Sequence, residues 1–167
     1  MTAQRQDRCV WRPEIAVIAL LAVFCVLCNG IAGAAETTQR IVTDRFTGLA
    51  IEGFDPVAYF VNRHPVLGLS EFEASKEGVV WRFHNEGNRA SFLAHPEIYG
   101  PRFGGYDPVD IARGITVAGN PRFWLVTGER LYLFGFEANR AAFASDPKSF
   151  LTKAQARWPS LERDLAQ

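Results

Sequence analysis

Cysteine is almost missing from this 167-residue chain, and the three that occur, Cys9, Cys25 and Cys28, all sit near the N-terminus. That placement matters because the same stretch reads as a targeting segment. Arg5, Arg8 and Arg12 give a basic start, Ile15 to Leu27 is an uncharged apolar run, and Ala32-Gly33-Ala34 supplies an A-x-A cleavage signal. Residues 1–34 are therefore expected to be a signal peptide cleaved after Ala34. The alternative is an uncleaved membrane anchor, because residues 15–35 hold no charge although the apolar run falls short of the roughly 20 residues a span requires. With the leader removed, the chain from Ala35 has no cysteine at all. Disulfides, thiolate metal sites and cysteine nucleophiles are then excluded, even in an exported protein where disulfides are permitted.

Charge of one sign is also lacking. The whole chain has 18 basic and 18 acidic residues. Removing Arg5, Arg8 and Arg12 with Asp7 and Glu14 leaves 15 basic against 16 acidic in the exported part. Without a basic excess or a basic run, nucleic acid is not expected as a partner, and a membrane is expected only through the N-terminal segment if it is retained. The chain holds no nucleophile elbow, no phosphate-cradling glycine loop and no HExxH pair. No enzymatic mechanism can be built from what remains.

What is present is an internal repeat. A shift of 51 residues lays Asn88-Arg89-Ala90-x-Phe92-x-x-x-Pro96-x-x-Tyr99 over Asn139-Arg140-Ala141-x-Phe143-x-x-x-Pro147-x-x-Phe150. The same shift lays Trp81-x-Phe83-x-x-Glu86 over Tyr132-x-Phe134-x-x-Glu137, and Val66-x-Gly68 over Val117-x-Gly119. With one further residue of slippage, Gly53-Phe54-Asp55-Pro56-Val57 meets Gly105-Tyr106-Asp107-Pro108-Val109. A period of this length marks the folding unit.

Each copy carries three local signals. Asp-Pro starts a short helix, the Asp capping free N–H groups and the Pro fitting the first turn, and Gly114 stands where a left-handed cap would end the second copy's helix. A β-hairpin follows: Phe72–Ala74, the turn 75–78 and Val79–Phe83 in one copy, and Phe123–Val126, the turn 127–129 and Arg130–Phe134 in the other. The third signal is the helix bearing Asn-Arg-Ala-x-Phe, after which His95-Pro96 or Asp146-Pro147 begins another turn. Phe150, Leu151, Ala154 and Trp158 then form an apolar stripe that Pro159 is expected to kink or end, with Ser160 capping a last turn. The expected class is α+β, two pseudo-repeated units each with an Asp-Pro-capped helix, an antiparallel hairpin and a following helix. The expected layout is a linker over 35–50, a domain over 51–159 (copies 53–103 and 104–159) and a tail over 160–167. Trp81, Trp124, Tyr106 and Tyr132 are expected to hold the core, with one small pocket at the junction of the copies.

The order Asp-Pro-Val, aromatic-x-Phe, Arg-x-x-Phe and Pro-x-x-Tyr resembles the YHS domain. Gly-Phe-Asp-Pro-Val-Ala-Tyr-Phe (53–60), Trp-x-Phe (81–83) and Tyr-Gly-Pro-Arg-Phe-Gly-Gly-Tyr (99–106) are similar to exported YHS domain-containing proteins. The resemblance spans about Ile51 to Pro159. It implies a periplasmic or secreted protein, or one anchored by its N-terminal segment. It also implies heavy-metal binding by thiolates, but the matching positions are Ala58, His84 and Asn88 in the first copy and Asp110, Gly135 and Asn139 in the second, with Asp107 where exported relatives often have Cys. Every thiolate is gone, and sulfur-type sites need them.

The candidate site residues follow from these departures. His84 occupies a family ligand position and could bind a borderline metal such as zinc, copper or nickel with carboxylate help, or be a solvated strand-end histidine. His64, in a loop, and His95, before a Pro, are better explained as turn residues. Asp55 and Asp107 share a capping context, while Asp110 lies one helical turn beyond Asp107 and is free of that duty, so the two carboxylates could form a hard-cation or general-base site. Asn88 with Asn139 and Arg89 with Arg140 recur in both copies, which favours hydrogen bonds to the hairpin or the Asp-Pro turn. Gly104, Gly105, Tyr106, Asp107 and Asp110 are the ligand-binding candidates, because the paired glycines let a loop approach a ligand closely. The reading is an exported, non-catalytic binding or interaction module without a cofactor, its partner a small ligand or a protein. The alternatives are a metal-responsive accessory protein using His and carboxylates and, less favoured, a small hydrolase or redox enzyme.

Overall fold

The computed structural model describes residues 39–165; the expected signal peptide or anchor lies outside them. The fold is α+β: two two-stranded antiparallel hairpins, each flanked by helices. In the first copy α1 (Ala58–Val61) is followed by β1 (Leu69–Lys76), β2 (Val79–Phe83), α2 (Glu86–Ala94) and α3 (Pro96–Tyr99). In the second, α4 (Pro108–Arg113) leads to β3 (Asn120–Thr127), β4 (Arg130–Phe134), α5 (Glu137–Ser145) and α6 (Pro147–Asp164).

The repeat extends to backbone detail. Asp55 N–H donates to the Val66 carbonyl and Gly68 N–H to that of Gly53 (2.8 and 2.9 Å); Asp107 and Gly119 make the same bonds to Val117 and Gly105, both 2.9 Å. These pairs explain why Val-x-Gly recurs. A Cβ at Gly119 would lie 2.5 Å from the Gly105 carbonyl oxygen, and one at Gly68 would overlap the Arg82 backbone. Both hairpins turn on two residues in the left-handed region, Glu77-Gly78 and Gly128-Glu129, the geometry whose twist suits a tight hairpin. Both first strands slip register at the same place, between Leu69 and Glu73 and between Asn120 and Trp124. The strands therefore begin earlier than Phe72 and Phe123. The residues before each slip lack alternating hydrophobicity and so give no strand signal.

Strand β4 divides the interior. Successive side chains of a strand point to opposite faces. Leu131 and Leu133 accordingly join Phe54, Val57, Trp81, Phe83 and Phe92 in one core, while Tyr132 and Phe134 join Tyr106, Val109, Ile111 and Phe143 in the other. Tyr59 crosses between the copies: its ring meets Trp124 edge-on at 5.2 Å and its hydroxyl donates to the Pro121 carbonyl at 2.9 Å.

The packed core reaches beyond residues 51–159. The stretch read as a linker places Ile41, Val42, Leu49 and Ala50 in the core, and the stretch read as a tail adds Leu161 and buried Leu165. These short apolar pairs and single residues are too sparse to register as periodicity. Helix α6 also continues through Pro159 to Asp164, and Ser160 does not cap: its hydroxyl donates back to the Arg157 carbonyl at 2.9 Å. The apolar stripe of Phe150, Leu151, Ala154 and Trp158, packed on the second core, holds the helix despite the proline.

Candidate functional site

The recurring polar residues converge on two buried aspartates. Asp55 Oδ1 accepts from Val57 N–H at 2.8 Å; its Oδ2 accepts from His84 N–H at 2.8 Å and Asn88 Nδ2 at 2.6 Å. Asp107 repeats these three contacts, with Val109 and Gly135 N–H both at 2.8 Å and Asn139 Nδ2 at 2.7 Å, while Asp55 Oδ1 also accepts from Ala58 N–H at 3.3 Å. Each carboxylate thus ties the helix start to the strand end and the following helix. Arg89 and Arg140 form i, i+3 ion pairs with Glu86 and Glu137, and Arg89 also reaches the Glu73 carbonyl of β1.

Asp110 breaks the symmetry. Its position in the first copy is Ala58, and its Oδ2 accepts from Asn139 Nδ2 at 3.0 Å while Oδ1 pairs with Arg113 at 2.7 Å. The structure therefore brings Asp107 and Asp110 together on one side-chain amide. Burial holds the Asp107 carboxyl above its ordinary value of 3.8, the charge of Asp110 adds to this, and the donated hydrogen bonds oppose it. Both carboxylates are buried, and neither lines the groove described below.

The three histidines are exposed and separate in role. His84 contributes its backbone N–H to Asp55, a task Gly135 performs equally in the second copy, so its imidazole is not used there. His64 Nδ1 lies 2.9 Å from the Asn62 carbonyl. His95 makes no side-chain cap, unlike its counterpart Asp146, which accepts from Ser149 N–H at 3.1 Å. Among the described residues, no three His, Cys, Asp or Glu side chains are grouped to hold a metal ion.

The Gly104-Gly105 loop approaches the chain's own backbone. Val42 N–H donates to the Gly104 carbonyl at 2.8 Å, Ile51 N–H to the Val42 carbonyl at 3.0 Å, and the Tyr106 hydroxyl to the Gln39 carbonyl. At Gly104 (φ 62°) a Cβ would overlap the Arg40 carbonyl oxygen. Tyr106 is wholly buried, and burial pushes its hydroxyl up to about 12. Residues 39–42 therefore form a strap across the connection between the copies.

Beside the strap lies a groove of about 730 Å³. Trp81 and Phe92 wall it from the first copy, Phe103 and Trp158 from the connection and α6, and Gly104 and Ile41 from the loop and strap. Glu77, Glu97, Glu162, Arg40 and Arg102 also line it. Of the sequence-derived candidates only Gly104 lines this groove; Gly105, Tyr106, Asp107, Asp110 and His84 do not. Its aromatic walls are far apart in the chain, and the strap belongs to a stretch without a motif, so no local signal marks them as one surface.

Compared with known proteins, the chain matches no family model, no curated protein and no solved structure. Among the described residues, no helix is long and apolar enough to cross a membrane.

Proposed function

We propose that this chain is an exported YHS-like binding module, not an enzyme, whose duplicated scaffold presents one groove to a small ligand. The observation that carries the reading is the groove itself. Its volume of about 730 Å³ falls within the roughly 300–1,000 Å³ of small-molecule sites, and its aromatic walls with a few polar groups match the make-up of such sites. The duplicated carboxylates and amides support the non-catalytic part, because their hydrogen bonds are taken up in joining turns, strands and helices. Fold kinship gives no ligand, so the ligand must be sought at the groove.

The test is a fragment screen read by the indole N–H resonances of the three tryptophans of the cleaved protein, Trp81, Trp124 and Trp158. Fragments that bind are expected to move Trp81 and Trp158, and a Trp158→Ala variant should lose them. Fragment binding that leaves both resonances in place, or no binding at all, would remove this reading.

A further inference from the structure

The groove's lining indicates the charge of what it takes. Two aromatic pairs line it: Trp81 with Phe92, centroids 4.8 Å apart, and Phe103 with Trp158, 5.6 Å apart and edge-on; the first three are buried, and Trp158 presents the partly exposed ring. Aromatic faces carry negative potential, strongest for Trp, and attract organic cations rather than anions. The charged lining points the same way. Glu77, Glu97 and Glu162 face it against Arg40 and Arg102. None of the three glutamates has a Lys or Arg partner among the ion pairs of the described residues; Glu97 meets His95 at 3.4 Å and senses the charge of Arg130 at longer range. One of the two arginines is already engaged: the Arg102 guanidinium lies over the Phe103 ring, 5.7 Å from its centroid.

We infer that the groove binds an organic cation with an apolar or aromatic body, its charged group meeting the glutamates and its body lying against the partly exposed Trp158 ring. This rests on the binding reading above and adds the ligand's chemical class to it. The strap contributes directly, because Ile41 and the Arg40 backbone complete the wall beside Gly104. No covalent step is involved.

Matched probes test it. Tryptamine and indole-3-propionate share a ring and differ in the sign of their charge; both are titrated into the cleaved protein at low salt and neutral pH, with Trp81 and Trp158 indole N–H shifts as readout. Tryptamine is expected to bind at least about tenfold more tightly, a difference that added salt narrows. Glu77→Gln with Glu97→Gln, both exposed positions, should shrink the ratio, and Arg40→Gln should enlarge it. Equal binding of the two probes, tighter binding of the acid, or a ratio untouched by the glutamine substitutions overturns the cation assignment and leaves the groove as a binding site. If neither probe moves Trp81 or Trp158 at millimolar concentration, while the protein stays folded, the cation assignment fails. If the fragment screen is also silent there, the binding reading falls with it.

Discussion

Asn88 Nδ2 donates to Asp55 Oδ2 at 2.6 Å across 33 residues, and Asn139 does the same to Asp107 at 2.7 Å across 32. The repeat is preserved at this clasp because a buried carboxylate is tolerable only when its lone pairs are filled. Each aspartate receives backbone N–H groups from the turn and from the strand end, and one side-chain amide, and so fixes three elements at once: the turn after Asp-Pro, the end of the hairpin and the helix beyond. No described residue has a buried side-chain N or O atom without a partner.

Removing either amide should therefore cost more than an ordinary surface change. Asn88→Ala leaves a buried carboxylate one donor short, a loss of about 1.5–3 kcal/mol for a bond to a charged group. Asn139→Ala is expected at the upper end or beyond, since Asn139 serves both Asp107 and Asp110. Urea unfolding of the two variants checks the order. A smaller loss at Asn139 than at Asn88 would contradict it.

His84 gives the opposite expectation. Only its backbone N–H is engaged, so His84→Ala should shift stability by no more than about 0.5 kcal/mol, the range of ordinary surface substitutions. Asp55→Ala, which strands the N–H groups of Val57, Ala58 and His84 and the Asn88 amide, should be strongly destabilising. Zinc, nickel and copper(II) titrations of wild type and His84→Ala are expected to coincide. A metal-dependent stabilisation lost only in His84→Ala would revive the histidine as a ligand.

Much of the fold was legible because the signals are local and occur twice. Asp-Pro, the paired asparagines, the two hairpins and Gly114, whose φ of 94° closes α4, each rest on chemistry within a few residues. The asparagine contacts could be anticipated because duplication of a polar pair points to scaffold. What escaped the sequence depends on distant neighbours. Gly104 invited a ligand-binding reading from its conformational freedom, but what approaches it is Arg40, some sixty residues earlier. Pro159 sits inside α6 because the face carrying Ala154 and Trp158 is packed on the second core, a tertiary effect that overrides a local breaker. The groove was expected only as a junction pocket, since Trp81, Phe92, Phe103 and Trp158 share a surface through the fold alone.

The strap can be loosened at one atom. Gly104→Ala adds a methyl where the Arg40 carbonyl already lies, at a backbone angle unfavourable to alanine. Gly78→Ala, at φ 80° with open space around it, incurs only the backbone cost, about 1 kcal/mol. Gly104→Ala should thus lose clearly more stability than Gly78→Ala. It should also expose the Arg40–Ile41 bond to trypsin, seen as rapid clipping near the N-terminus by mass spectrometry. Equal cleavage of the two variants would mean that the strap does not depend on Gly104.

Asp107 should titrate above its neighbours on the surface, and Asp110 should be part of the reason. Burial raises its carboxyl above 3.8, with Asp110's charge adding to the rise. A folded-state value above the unfolded one means that the folded chain holds the extra proton between the two. The stability tied to this group is then fully present below 3.8 and is lost as pH rises through the raised value. Exposed Glu86 and Glu137 work in the other direction: their arginine partners lower their carboxyls, and that contribution is lost as pH falls. The overall stability curve therefore mixes both signs, and carbon-detected titration of the Asp107 carboxyl isolates the one of interest. Its midpoint is expected above 3.8 in the wild type and lower in Asp110→Asn, where the neighbouring charge is gone but a side chain of similar shape remains. A wild-type midpoint at or below 3.8, or no decrease in Asp110→Asn, would show that the two carboxylates meeting on Asn139 do not sense each other's charge.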